Sequence, residues 1–149
     1  DDARLPQATG AVFMAQCQRR AAGEPLAYLL GEREFHGLML QVTSAVLVPR
    51  PETETLVDWA LELLAGGLRD RPVPRLADLG TGSGAIALAL KHTSPDLEVH
   101  AVDYSTDALA VAKANAQRLK LDVQFSQGSW LSGLSAARSA SSVSGIAKR

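Results

Sequence analysis

Five consecutive residues, Gly80-Thr81-Gly82-Ser83-Gly84, follow the short apolar run "RLADL" and lead straight into "AIALALKH". Glycines there suit a turn that visits left-handed backbone and lets a ligand approach the main chain more closely than a Cβ permits. A second apolar run, "LEVHAV", ends on Asp103, 23 positions after Gly80. A carboxylate at that place can accept hydrogen bonds from both hydroxyls of a ribose. The glycine turn alone is equally well explained as a tight strand-to-helix connection with no ligand; the acid closing the next strand favours nucleoside binding. His36, His92 and His100 stand apart from one another. They indicate neither a metal cluster nor a Ser-His-Asp set, and each is expected to lie at the surface or to be satisfied by hydrogen bonding.

These residues need a scaffold, and the pattern supplies one. "RLADLG", "LEVHAVD" and "LDVQF" are separated by the helical patterns "GAIALALKH" and "STDALAVAKANAQRLK". That β-α-β-α-β order predicts an α/β fold with a parallel sheet and right-handed crossovers. Upstream, Leu56, Val57, Ala60, Leu61, Leu63 and Leu64 recur at helical spacing behind acidic residues and before a double glycine, which predicts a helix. The segment "REFHGLMLQVTSAVLVP" reads as a small hairpin or extended connector. Before it, Thr9 to Ala22 predicts a helix stopped by Gly23, and "EPLAYLLG" a short one with Pro25 in its first turn.

The 149 residues are 46% hydrophobic with a net charge of −1, enough for one domain with a core or for one domain plus a small appendage. The 15 basic residues are scattered, so no patch calls for nucleic acid or an acidic membrane. No apolar run approaches the roughly 20 residues that span a bilayer, and "DDARLPQ" lacks the basic and apolar regions of a signal peptide. A single cysteine, Cys17, forms no internal disulfide, fits a reducing cytoplasmic setting and is expected to fill the core.

Spacing does not choose the nucleoside, because Gly80-x-Gly82-x-x-Ala85 also meets the relaxed dinucleotide fingerprint. The wider string "DLGTGSG", with Asp78 just ahead of the glycines, resembles the first motif of class I S-adenosylmethionine-dependent methyltransferases. An acid there would repel a pyrophosphate but suits the cationic S-adenosylmethionine. Read together, "GEPLAYLLGEREFHGLMLQVTSAVLVPRPETETLVDWAL", "DLGTGSGAIALAL", "AVDYSTDALAVAKANA" and "FSQGSW" closely resemble the HemK/PrmC family across roughly residues 20 to 131. "PRPETE" is the most diagnostic element. The family comprises protein-(glutamine-N5) methyltransferases that modify the Gly-Gly-Gln glutamine of peptide chain release factors.

The resemblance implies a Rossmann-like methyltransferase domain over residues 51–131, a hairpin connector over 34–50 and part of a helical substrate-recognition domain over 1–33. It places the S-adenosylmethionine site on Gly80, Thr81, Gly82, Ser83 and Gly84, the ribose acid on Asp103, and an aromatic beside the adenine on Trp130. Arg50, Glu52 and Glu54 would line the mouth of the substrate cleft, although helix-start acids with an Arg partner are an equal reading. The implied partner is a release factor in the cytoplasm, with no direct nucleic-acid or membrane contact. The family usually writes "GDW" where this chain has Gly128-Ser129-Trp130, and its "NPPY" motif, which orients the glutamine, does not occur in these residues. No catalytic residue is therefore assigned. Residues 132–149 form an atypical tail: five serines and four alanines from 135 onward stand where a fourth apolar strand is expected. The expectation is an incomplete member of the family holding the first three β-α units, with an exposed edge on the "RLADL" strand.

Overall fold

In the computed structural model, which describes residues 7–66 and 75–129, the N-terminal part is α1 (Gln7–Ala21) followed by α2 (Leu26–Leu30). Gly31 ends α2 in the left-handed conformation, and its N–H bonds to the Ala27 carbonyl. α1 differs from its expected role. Val12, Phe13 and Met14 are all more than half exposed, and Cys17 is exposed rather than core filling. The Gln16 side chain links the helix to α2, its Nε2 donating to the Leu29 carbonyl at 3.4 Å. Where no described element covers it, an apolar helix face does not become a core face.

An antiparallel hairpin comes next, β1 (Glu32–Phe35) and β2 (Leu38–Gln41), paired from Glu32 opposite Gln41 to Phe35 opposite Leu38. Alternation fixes which face is buried: Phe35, Leu38 and Leu40 point inward while Glu34 and Met39 face out. The connector then runs to a single 3-10 turn at Pro51–Thr53 and into α3 (Glu54–Gly66). A proline at the first position of that turn forfeits no hydrogen bond there.

The predicted α/β unit is present as β3 (Arg75–Leu79), α4 (Ala85–Thr93), β4 (Glu98–Asp103), α5 (Thr106–Leu119) and β5 (Gln124–Gln127). The three strands are parallel in the order β3-β4-β5, with Leu79 opposite Val102 and Asp103 opposite Gln127. Val99, Ala101 and Val102 make β4 the buried central strand. Ser105 caps α5, its side chain accepting the Ala108 N–H at 3.2 Å. One apolar cluster joins Phe35, Leu38 and Leu40 of the hairpin to Val57 of α3, Leu88 and Leu90 of α4 and Val99 of β4. The hairpin is thus docked into the sheet's own core, where burying a leucine contributes about 2 kcal/mol. Among the described residues β3 pairs on one side only. The fourth-strand expectation falls on residues 132–149, outside those described.

Candidate functional site

Parallel pairing brings the carboxyl ends of β3 and β4 together, the edge at which open α/β sheets bind ligands. The Gly80 and Thr81 amides both bond to the Val102 carbonyl, at 2.8 and 3.0 Å, so the glycine loop is sewn to the end of β4. Gly80, Gly82 and Gly84 have φ of +81°, +56° and +85°, which explains the alternate glycines. Among the described residues a Cβ at Gly80 or Gly82 would meet nothing within 4 Å, which leaves room there for a ligand. At Gly84 the need is packing. A Cβ there would lie 3.0 Å from Leu88 Cδ1 and 3.3 Å from the Ala112 Cβ.

Asp103 closes β4 beside this loop. Its Oδ2 accepts the Gly82 N–H and its Oδ1 the Ser105 N–H, both at 2.9 Å. Each carboxylate oxygen retains a second lone pair for a hydroxyl donor. The same acid therefore shapes the loop and can receive a ribose. Asp78 is more deeply set: its Oδ2 accepts the Thr81 hydroxyl at 2.7 Å and the Ala87 N–H at 3.3 Å. Burial pushes its carboxyl above the usual range, the two hydrogen bonds pull it back, and repulsion from Asp103 adds to the rise.

A cleft of about 440 Å³ opens over these residues. One wall is the loop from Gly80 to Ser83 with Asp103; the other is the connector from Ala45 to Arg50 with Thr53. Among the described residues Arg50 is the single basic side chain of the lining, against the carboxylates of Asp78 and Asp103. A balance of two acids to one base suits a neutral or cationic nucleoside ligand better than a pyrophosphate. With the open backbone of Gly80 and Gly82, the lining fits S-adenosylmethionine.

Of the sequence-derived residues, the structure gathers Gly80, Thr81, Gly82, Ser83, Asp103 and Arg50 around one cleft, while Gly84 packs behind the loop. Glu52 and Glu54 are not in the lining. The Glu54 carboxylate instead accepts the His36 N–H at 3.1 Å, holding the hairpin turn to α3. Trp130 lies outside the described residues. His36 bonds to Asp58 and His100 to Ser126, each at 3.0 Å, while His92 is exposed. Among the described residues no group of acids, histidines and cysteine could hold a metal ion. Sequence reasoning missed the Ala45–Pro49 wall and Asn115, a fully buried amide on α5. The signal for Asn115 was a lone asparagine set among the alanines of "AVAKANAQ".

The methyltransferase small domain family matches residues 53–143, more than half of the chain and including the whole loop and Asp103. The chain belongs to this family. Its similarity to curated relatives extends further toward the N-terminus. A release factor glutamine methyltransferase from Bordetella pertussis is 53% identical over 118 residues, covering 79% of this chain and 42% of that protein. One from Haemophilus influenzae is 42% identical over 144 residues, covering 90% of this chain and 49% of that protein. The chain thus spans less than half the length of either relative. The N-terminal domain of human METTL16 shares the fold, with a TM-score of 0.53 at 23% identity over 70% of this chain and 41% of that one. The Rossmann-like methyltransferase assignment stands on these matches and on the parallel sheet. No helix among the described residues is long and apolar enough to cross a membrane.

Proposed function

We propose that the cleft binds S-adenosylmethionine, and that the activity it serves is methyl transfer to the side-chain nitrogen of the Gly-Gly-Gln glutamine in peptide chain release factors. The observation that carries this reading is the make-up of the cleft: a cofactor-type loop and acid on one wall, and on the other the connector that ends in "PRPETE". The 42% and 53% identity to release factor glutamine methyltransferases supports the same substrate.

An amide nitrogen is a poor nucleophile because its lone pair is delocalised, so such a reaction depends on holding it in line with the sulfonium methyl. S-adenosylmethionine supplies the electrophilic carbon. The chain's own residues would supply the holding: Asp103 would receive the ribose hydroxyls and the Gly80–Ser83 backbone would take the rest of the cofactor, with Arg50 on the facing wall. No Asn-Pro-Pro-Tyr occurs in the 149 residues, so binding and turnover are separable here. Isothermal titration with S-adenosylhomocysteine tests the first, and methylation of a release factor with labelled S-adenosylmethionine, against a variant whose Gly-Gly-Gln glutamine is replaced, tests the second. Binding without turnover is expected of these residues alone. No detectable binding would remove the cofactor reading, and turnover on the glutamine-free variant would remove the substrate reading.

A further inference from the structure

Asn115 is fully buried on α5 and is not part of the cleft lining. Its Nδ2 donates to the Ser83 carbonyl at 3.0 Å and to the Gln41 carbonyl at 2.9 Å, while its Oδ1 accepts the Gln41 N–H at 2.7 Å. Both donors and the acceptor of the amide are engaged. The exchange with Gln41 repeats the two-bond pairing of antiparallel strands, made here by a side chain.

The two partners lead into the two walls of the cleft. Ser83 sits between Gly82 and Gly84, and the Gly82 N–H on its other side is held by Asp103. The loop is therefore pinned from β4 by an acid and from α5 by an amide. Gln41 ends β2, and the chain runs from it through buried Val42 into the Ala45–Arg50 wall. Arg118, one turn along α5, donates to the Met39 carbonyl and lies 3.5 Å from Asn115 Oδ1, which holds the hairpin to the same corner. Releasing the buried Ser83 carbonyl from Asn115 would leave a buried polar group unpaired, and low polarity around it makes that costly.

We propose that Asn115 is a positioning residue that sets the separation of the two walls, so that a ligand held by the glycine loop also fixes Gln41 and the connector beyond it. This rests on the cofactor reading of the cleft. It goes further in making the connector wall respond to cofactor through a side chain that does not line the site.

Amide hydrogen exchange tests the clip. In the wild-type chain, S-adenosylhomocysteine is expected to slow exchange at Gln41 together with Gly82 and Gly84; protection confined to the loop would overturn the proposal. Asn115→Asp keeps the size but loses both donors, and Asn115→Leu keeps the branched shape but is apolar and somewhat larger. Without ligand, Asn115→Leu is expected to speed exchange at Gln41 and Gly84 by roughly tenfold and Asn115→Asp, which still accepts the Gln41 N–H, to speed it at Gly84; with ligand, each should weaken S-adenosylhomocysteine by roughly tenfold at a temperature where the variant is folded. Leu97→Ala, a core truncation away from the cleft, serves as the control for lost stability. If it weakens the ligand as much as the Asn115 variants do, the role is merely structural and the proposal fails. Absence of binding by the wild type would remove the cofactor reading instead, while the ligand-free comparison would still decide the clip. Should both Asn115 variants fail to fold, the wild-type exchange with and without ligand decides it.

Discussion

Replacing Gly84 by alanine separates two reasons for a glycine. With φ at +85°, any L-residue there meets left-handed strain of about 1–2 kcal/mol. The new Cβ would also lie 3.0 Å from Leu88 Cδ1 and 3.3 Å from the Ala112 Cβ. Leu88 and Ala112 are both fully buried, and a Cβ moves only with its backbone, so neither neighbour yields freely. Overpacking of this kind costs about 1–3 kcal/mol. The sum is roughly 2–5 kcal/mol, a large part of the 5–15 kcal/mol that stabilises a typical domain. Gly80 is the matched comparison, with φ of +81° but nothing within 4 Å of an added Cβ. Gly80→Ala should bear the strain alone, about 1–2 kcal/mol. Because Gly80 lines the cleft, it should weaken S-adenosylhomocysteine more than its small loss of stability suggests. Urea unfolding followed by far-UV circular dichroism gives the first ranking and calorimetric titration the second. If Gly80→Ala loses as much stability as Gly84→Ala, with unfolding slopes unchanged, the packing argument at Gly84 is refuted.

Asp103→Asn keeps the shape but turns an NH₂ toward either the Gly82 or the Ser105 N–H. It should cost about 1–3 kcal/mol and weaken S-adenosylhomocysteine by roughly tenfold or more; unchanged affinity by titration would remove Asp103 from the ribose role. Asp78→Asn concerns pH. Burial raises the Asp78 pKa in the folded state, so its contribution to stability is complete below the ordinary value of 3.8 and is lost as pH rises through the raised one. The asparagine variant lacks that loss, so its melting temperature relative to wild type should improve from acid toward neutral pH. A difference that stays flat with pH would contradict the assignment. Cys17 is exposed and should react with a thiol reagent in the native protein without denaturant; labelling only after unfolding would restore it to the core. Arg75→Ala should change stability by less than about 1 kcal/mol in chemical denaturation, because its 2.8 Å pair with Glu98 is exposed on both sides.

The sequence by itself determined what local pattern can encode. Three apolar runs alternating with two helical stretches specified the parallel unit, and glycines at 80, 82 and 84 specified a turn of left-handed residues. Asp103 was legible because parallel strands must end side by side, so an acid closing the second strand must neighbour the loop that follows the first. Tertiary structure alone decided the partners. Whether the apolar residues of α1 meet a core is absent from its own periodicity, so the expectation that Cys17 fills the core was wrong: Cys17 is exposed, as is Phe13. Glu54 reads equally as a cleft acid or a helix-start acid until the His36 amide is found on it. Asn115 meets Gln41 across 74 positions and Ser83 across 32. No windowed pattern reaches that far, since such a contact exists only once the hairpin has docked on α5. The cleft's second wall was hidden for the same reason: the connector becomes a wall only when Phe35, Leu38 and Leu40 are buried against the sheet's core.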